Sequence, residues 1–137
     1  RRRAGYEETL VRGTSGAFQP MTLFASLLTA SDIARRIRES KCTACINLTD
    51  NYGFAVMDAL TNEQGLRIPD DISLVCLENE SVSPFLHPRL TTIAQPLETI
   101  AEYAVSGIIE QLHRGKSHFR QVFKSRLVER ASVKKLN

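Results

Sequence analysis

The sequence predicts a three-layer α/β domain in which a mainly parallel sheet carries helices on both faces. The run "ISLVCL" at residues 72–77 is almost wholly apolar, as is typical of a strand buried on both faces of a parallel sheet. Residues 42–77 alternate as strand, helix and strand, which predicts one right-handed βαβ unit. After Pro96, apolar residues recur at i, i+3 and i+4 as far as Gly115, which predicts a long helix.

The elements before this unit follow the same alternation. The segment "RRRAGYEETLVR" is typical of the end of a helix, with Gly13 as its stop. "MTLFASLL" at residues 21–28 predicts a strand. "SDIARRIRES" predicts a helix that is capped by Ser31 and buries Ile33, Ala34 and Ile37.

The later elements are defined by turns and alternation. Thr49 or Asp50 can cap a helix that closes at Gly65, and "IPDD" then turns the chain into the strand at 72–77. "SVSPFLHPR" predicts a loop and "LTTIA" a short strand. A last strand at about 121–128 alternates basic and apolar side chains, which predicts a half-buried edge with a solvated charged face.

Composition excludes several classes of protein. The chain has 137 residues, of which 42% are hydrophobic. This length and composition predict one domain that is large enough to bury a hydrophobic core. Apolar runs stay well short of the roughly 18 residues of a membrane span, and the Arg-rich start lacks the apolar stretch of a signal peptide, so we expect a cytoplasmic protein with no membrane contact. The net charge of +3 comes entirely from Arg1, Arg2 and Arg3, which argues against nucleic-acid binding by this chain as a whole.

The catalytic and metal-binding interpretations fail on spacing. Cys42 and Cys45 form a CxxC, but residues three apart on a strand face opposite ways, and no second CxxC or neighbouring His completes a zinc site. "GKS" at 115–117 lacks the glycine and the preceding strand of a phosphate loop. The three histidines stand in no catalytic motif. We therefore expect no enzyme, no cofactor and no metal.

Polar clusters at two strand ends favour a binding function. Thr49, Asp50 and Asn51 follow one strand, and Glu78, Asn79 and Glu80 follow the next. A βαβ unit brings both clusters to the carboxyl edge of the sheet, where open α/β sheets bind ligands. Carboxylates and amides there suit a ligand with several hydroxyls, such as a sugar. The alternative is that Thr49 and Asp50 only cap the helix and that Glu78 only faces water, although one group can both cap and bind.

Five motifs resemble the C-terminal part of LacI/GalR-family bacterial transcription regulators. They are R-x-x-G-Y at residues 2–6, the helix-opening Thr49-Asp50, "GLRIPDDISLV", "HPRLTTIAQP" and the closing "LVERAS". The resemblance covers essentially residues 1–137 and implies the C-terminal subdomain of a fold similar to periplasmic sugar-binding proteins. It implies that about 91–120 belongs to the other subdomain of the parent protein, and that operator DNA is bound only through an N-terminal helix-turn-helix that these residues do not contain.

The resemblance also implies the effector-binding residues. Arg2 matches the arginine that binds effector hydroxyls in this family. Thr49-Asp50 stands where the family usually has Asn-Asp, and Glu78-Asn79 stands where it has the two acids of "GFDD". Because Glu is one methylene longer than Asp, we expect an atypical effector: a sugar, a phosphorylated metabolite or a protein. A periplasmic-type sugar-binding protein of a transporter remains the alternative, and a stand-alone enzyme is a weaker one.

The helix after Asp50 is more apolar than one buried face requires. Tyr52, Ala55, Val56, Ala59 and Leu60 make one stripe, whereas Phe54 and Met57 lie on a different side. A neighbouring element of the same chain is one possible cover. The other, which the resemblance to dimeric regulators also implies, is a homodimer in which Phe54, Met57 and the loop residues Val82, Phe85 and Leu86 meet their copies.

Overall fold

A computed structural model of the chain describes residues 2–14, 20–77, 81–115 and 120–135. The helices are α1 (Arg2–Thr14), α2 (Ala30–Ser40), α3 (Asp50–Asp58), which continues as a π-helical turn (Ala59–Glu63), and α4 (Leu97–Arg114), with a 3₁₀ turn at Ser83–Phe85. The strands are β1 (Ala44–Asn47), β2 (Ser73–Leu77), β3 (Thr91–Ala94) and β4 (Arg126–Val128). They form one sheet in the order β1-β2-β3-β4.

The sheet is mainly parallel, which confirms the predicted fold class. β1 pairs in parallel with β2, and β2 with β3, whereas β4 runs antiparallel to β3. The predicted βαβ unit is present as β1, α3 and β2. In β2, Leu74 and Cys76 are buried and their neighbours half-buried, so one face of this strand is fully covered and the other is not. The continuous apolar run had predicted burial on both faces.

The core lies between the sheet and two helices. α3 packs on β1 and β2, and α2 packs on α3. Burial of apolar side chains at this junction is the main source of stability for such a layered fold. The core cluster comprises Ile33, Ala34, Ile37, Val56, Met57, Ala59, Leu60, Ile68, Ile72, Leu74, Cys76 and Leu90. All three apolar positions predicted for the helix at 31–40 are therefore confirmed.

A glycine sets how closely α3 approaches the sheet. Gly53 is buried, and a Cβ atom at this position would lie 2.5 Å from Cys76 Sγ and 2.8 Å from Asn47 Nδ2. Real Cβ atoms do not come this close to other heavy atoms. The absence of a side chain thus lets the first turn of α3 rest directly on the carboxyl ends of β1 and β2.

The closing "RAS" motif joins two strands of the sheet. Ser132 is fully buried; its Oγ donates to the carbonyl of Leu74 at 2.6 Å and accepts from the amide of Thr91 at 2.8 Å. The amide of Leu74 donates in turn to the carbonyl of Ser132 at 2.8 Å. Arg130 donates to the carbonyl of Leu90 at 2.6 Å. These bonds hold the C-terminal segment against β2 and β3.

Two local predictions were wrong. Residues 21–28 form no strand, because the amide of Leu27 bonds the carbonyl of Phe24 at 3.0 Å and turns the chain there. The cap of α2 is Thr29 and not Ser31: Thr29 Oγ1 accepts from the amide of Asp32, and the Asp32 carboxylate accepts from the amide of Thr29. This capping box begins the helix one residue before Ser31.

The C-terminal third of the chain has apolar side chains that the described residues leave uncovered. β4 begins at Arg126, so only the end of the predicted strand forms, and Leu127 is 56% exposed where alternation predicted burial. α4 has the predicted start and end, but its apolar stripe is exposed along most of its length. The exposed residues of α4 are Leu97, Val105, Ile108, Ile109 and Leu112.

Candidate functional site

The carboxyl edge of the parallel strands holds the part of the predicted site that the structure describes. Register pairs Asn47 with Cys76, so β1 and β2 leave the sheet at the same edge. Thr49 is exposed there and is the N-cap residue of α3, one of the two caps predicted, but its side chain makes no capping bond. The helix start is held instead by the carbonyl of Thr49, which accepts from the amide of Gly53 at 3.0 Å and from the Asn47 side chain.

The other predicted effector-binding residues are not described in side-chain detail. Glu78 and Asn79 lie outside the described residues. Arg2 begins α1 and Asp50 begins α3, and only their backbone is described. The role of these four residues therefore stays a prediction from the sequence.

A cavity of about 320 Å³ runs beside β1 and reaches this edge. Residues from both faces of β1 line it, which places the cavity along the edge of the sheet where β1 is the last of the described strands. The remaining walls come from α1, the segment 21–25, α2 and the start of α3. The lining residues are Arg3, Tyr6, Met21, Thr22, Leu23, Phe24, Ala25, Ile33, Ile37, Cys42, Ala44, Cys45, Ile46, Asn47, Leu48, Thr49 and Tyr52.

The cavity has a polar end and an apolar end. Asn47 and Thr49 lie at the carboxyl end of β1, whereas Cys42 and Cys45 lie near its start, among isoleucines of α2. Burial raises the pKa of the Cys45 thiol to about 11, with a smaller contribution from Cys42, so this thiol stays protonated and neutral at pH 7. Burial also raises the pKa of the Tyr6 phenol. Cys42 and Cys45 contribute to this second shift, so the Tyr6 hydroxyl is a polar group close to the two thiols.

Cys42 and Cys45 share this cavity, which corrects the argument that spacing places their thiols on opposite faces. Cys42 precedes β1, which begins at Ala44, so strand alternation does not apply to the pair. Cys42 and Cys45 are free thiols that are half-buried against the core, whereas Cys76 is buried within it. Across the described ranges, no three His, Cys, Asp or Glu side chains come together in a group that could hold a metal ion.

Sequence reasoning missed the aromatic walls of the cavity. Tyr6 lies one helical turn after Arg2, and this i, i+4 spacing could have marked it as a neighbour of the predicted site. Phe24 was assigned to a strand. Tyr52 was assigned to the core, and its hydroxyl donates to the carbonyl of Leu28 at 2.5 Å, which ties α3 to the cavity wall.

The residues predicted for a dimer interface divide into two groups. Phe85 is 78% exposed and Val82 is 41% exposed, so both are accessible. Phe54 and Leu86 are half-buried against the core. Met57 is 6% exposed and belongs to the core, which corrects its assignment to a face that needs a partner. The physical reason is that α3 packs on both the sheet and α2, which leaves Met57 inside the core, although Ala55 of the first stripe is exposed.

The chain matches the family model of the periplasmic binding protein-like domain over residues 1–133. The HTH-type transcriptional repressor PurR of Vibrio atlanticus is 34% identical over 101 residues, which are 72% of this chain and 30% of that protein. PurR of Vibrio campbellii is 32% identical over 114 residues, which are 82% of this chain and 33% of that protein. The chain thus spans about a third of the length of these relatives.

Solved structures show the same fold. The regulator CcpA of Lactococcus lactis has a TM-score of 0.79 at 20% identity, covering 97% of this chain and 50% of that one. The Lac repressor bound to ONPG has a TM-score of 0.77 at 23% identity, covering 96% and 40%. A LacI-family regulator of Enterococcus faecalis with bound ribose has a TM-score of 0.69 at 25% identity, covering 80% and 42%.

The fold and its carboxyl-edge cavity define a periplasmic-binding-protein-like ligand-binding domain. The chain belongs to this family, as the C-terminal part of a LacI/GalR-type regulator, and the predicted resemblance is confirmed. The relatives are transcriptional repressors, in agreement with the prediction that the chain is not an enzyme, and they do not favour the transporter alternative. In the described ranges, no helix is long and apolar enough to cross a membrane.

Proposed function

We propose that this chain is the effector-binding and dimerisation part of a cytoplasmic LacI/GalR-type repressor that senses a sugar or a phosphorylated metabolite. The observation that carries the proposal is the cavity beside β1, which reaches the strand ends where the sequence places Thr49, Asp50 and Glu78. Ligands of parallel α/β sheets bind at this edge, because the loops there leave a crevice. The Enterococcus regulator named above holds ribose, which supports a hydroxyl-rich ligand.

Operator binding belongs, in this proposal, to an N-terminal helix-turn-helix of the longer protein. Sequence-specific recognition of DNA requires side chains held in a groove by such a motif, and these 137 residues do not contain one. The effector and the operator are then coupled through the linked domains and not through a shared surface.

Residues 91–120 fit the other subdomain of the longer protein. They include α4, whose exposed apolar stripe spans more than four turns from Leu97 to Leu112. Five large apolar side chains on one helix are more than a solvated helix normally exposes, so we infer that the preceding part of the longer protein covers them.

The test is a substitution at the predicted acid of the site. Glu78→Ala in the longer protein should weaken effector binding by about 1–3 kcal/mol, the cost of losing a charged hydrogen bond, without changing the unfolding midpoint. Isothermal titration against ribose, galactose, glucose and their phosphates measures this. Glu98→Ala, on the exposed first turn of α4, is the matched control and should bind as the wild type does. Equal affinities for wild type and Glu78→Ala would remove Glu78 from the site.

A further inference from the structure

We propose that Cys42 and Cys45 form a reversible disulfide in the wall of the cavity beside β1, by exchange with a low-molecular-weight external disulfide. The pair is then a site of oxidative modification next to the ligand-binding edge of the sheet. This inference does not depend on which effector the domain binds. It rests on the positions of the two thiols, on a hydroxyl beside one of them and on their access to solvent.

The chain brings the two thiols to one cavity although they are three residues apart. Cys42 precedes β1, whose pairing with β2 begins at Ala44, and the chain bends at Thr43. Both thiols line the cavity, both interact electrostatically with the Tyr6 phenol, and Cys42 interacts in the same way with Cys45. A disulfide requires Cβ atoms about 3.5–4.5 Å apart. Because Cys42 lies outside the strand ladder, it is the residue that moves to close the bridge.

The two thiols differ in the way that sequential exchange requires. Burial raises the pKa of Cys45 to about 11, so this thiol is protonated at pH 7 and is a poor first nucleophile. The Ser40 hydroxyl oxygen lies 3.1 Å from Cys42 Sγ and 2.8 Å from the carbonyl of Ile37. A hydroxyl has one proton and can turn it towards either acceptor. It can therefore donate to Cys42 Sγ when that sulfur becomes negative, which assigns the first step to Cys42.

The exchange balances with the external disulfide as its oxidant. The Cys42 thiolate attacks one sulfur of that disulfide, forms a mixed disulfide and releases a thiolate, which takes up the proton that Cys42 lost. The Cys45 thiol then gives its proton to solvent and attacks Cys42 Sγ, and the second external thiol leaves with a proton from solvent. Two protein thiols lose two electrons in total, and one external disulfide is reduced to two thiols. The second step is intramolecular, which offsets the high pKa of Cys45.

Access to solvent favours a bridge that forms and breaks. Cys42 and Cys45 are half-buried, and many of the residues that line their cavity are exposed, so small reagents can reach the pair. Cys76, by contrast, is fully buried and lies outside the cavity lining. Disulfides of cytoplasmic proteins are usually transient or redox-sensing. In the cytoplasmic regulator proposed above, the pair would therefore report redox state and would not act as a permanent crosslink.

The test measures oxidation of each cysteine in the full chain. The reduced protein is equilibrated with mixtures of glutathione and glutathione disulfide and quenched with acid. Its remaining thiols are alkylated in urea, and tryptic peptides are analysed by mass spectrometry. Cleavage after Lys41 and Arg67 leaves Cys42 and Cys45 in one peptide, which should lose both alkylation sites together and carry two hydrogens fewer. Dithiothreitol should restore both sites, and Cys76 should stay alkylated throughout.

Four results would overturn the inference. Cys42 and Cys45 would both stay alkylated at the highest proportion of glutathione disulfide, or oxidation would join two chains into a dimer on a non-reducing gel. Glutathione would persist on Cys42 while Cys45 stays alkylated, which would show that the pair does not close. Finally, Cys76 would be oxidised in step with the pair, which would show that unfolding exposes all three thiols. The proposed effector binding is independent of each of these results.

Variants test the order of the two steps. Cys45→Ser should stop the reaction after the first step and accumulate one glutathione on Cys42. Cys42→Ser should acquire glutathione on Cys45 at least about tenfold more slowly, because that thiol is protonated at pH 7. Ser40→Ala should slow formation of the bridge severalfold, whereas Ser31→Ala, at the other end of α2, should not.

Equal rates of glutathione addition in Cys45→Ser and Cys42→Ser would overturn the assigned roles, and an unchanged rate in Ser40→Ala would remove the serine from the first step. If a variant fails to fold, the measurement on the wild type still decides whether the bridge forms.

Discussion

The carboxylate of Asp71 holds the turn from which β2 begins. Its Oδ2 accepts from the amide of Arg67 at 2.8 Å and from Nε at 2.9 Å, and its Oδ1 accepts from Nη2 at 2.8 Å. These bonds lower the pKa of Asp71 from 3.8 to about 2, the Arg67 side chain being the main cause. They close the "IPDD" turn from which the strand emerges.

The lowered pKa predicts a pH-dependent contribution to stability. Because the folded-state pKa lies below the unfolded one, the stabilisation is fully present above about pH 4 and is lost as pH falls towards about 2. Asp71→Asn should therefore lower the free energy of unfolding at pH 7, and its difference from wild type should narrow below pH 4. Urea unfolding across pH 7 to 3 measures this. Asp70→Asn, whose ion pair with Arg67 is 3.9 Å long, is the control and should have the smaller effect.

The buried hydroxyl of Ser132 is the basis of a second prediction about a single residue. Removing its hydroxyl leaves the amide of Thr91 and the carbonyl of Leu74 without a bond from that group inside the core. Ser132→Ala should destabilise the chain by about 1–3 kcal/mol in chemical denaturation. Ser106→Ala, exposed on α4, should change stability by no more than about 0.5 kcal/mol. Similar values for the two serines would contradict the role given to the buried hydroxyl.

At the scale of elements, the packing of α3 on β1 and β2 depends on Gly53. Gly53→Ala forces Cys76 or Asn47 to move, because the added Cβ lies 2.5 Å and 2.8 Å from their side chains. We expect a loss of about 1–3 kcal/mol, as for other overpacked sites. Gly5→Ala meets no atom within 4 Å in α1 and should stabilise its helix by about 0.5–1 kcal/mol. Thermal unfolding of both variants compares Gly53, whose lack of a side chain lets α3 contact the sheet, with Gly5, which has no such close contact.

Elements with long or regular patterns were predictable from the sequence, and short ones were not. The periodicity after Pro96 predicted α4, and the apolar run at 72–77 predicted β2, because each pattern repeats over enough residues to exclude other structures. "MTLFASLL" is equally apolar, but a turn at residues 24–27 follows from a local hydrogen bond that composition does not reveal. Short apolar runs fit strands, turns and irregular core segments alike.

The sequence predicted the position of the candidate site at the carboxyl edge of the sheet, but it did not predict the cavity behind that edge. The carboxyl ends of parallel strands lie at one edge of their sheet. The location of the candidate site near Thr49 therefore followed from topology alone. The cavity behind it is built by residues of α1, the segment 21–25 and α2, which are distant in sequence. Their convergence depends on tertiary packing, as does the burial of Met57 in the core.

At the scale of the whole molecule, we expect parts of the exposed apolar surface to contact other protein. Two of its regions lie away from the cavity beside β1: the stripe on α4, and the 3₁₀ turn around Phe85 that follows β2. We assigned the first to the other subdomain of the longer protein. The second lies between β2 and β3, outside the regular elements, and its side chains are accessible to a second copy of the chain.

The dimer predicted through this second region can be tested at Phe85. Its side chain is 78% exposed, so a charge there leaves the core intact, whereas Phe54 packs against the core and an acid at that position would also disturb the fold. A stable two-fold contact buries on the order of 1,200 Å² in total and tolerates a central unpaired charge poorly. Phe85→Asp should therefore convert dimers into monomers in sedimentation velocity at tens of micromolar. Leu97→Asp, a comparable change at a 66% exposed residue of α4, should leave the dimer unchanged. A monomeric wild type, or a dimer that survives Phe85→Asp, would exclude this surface as the interface.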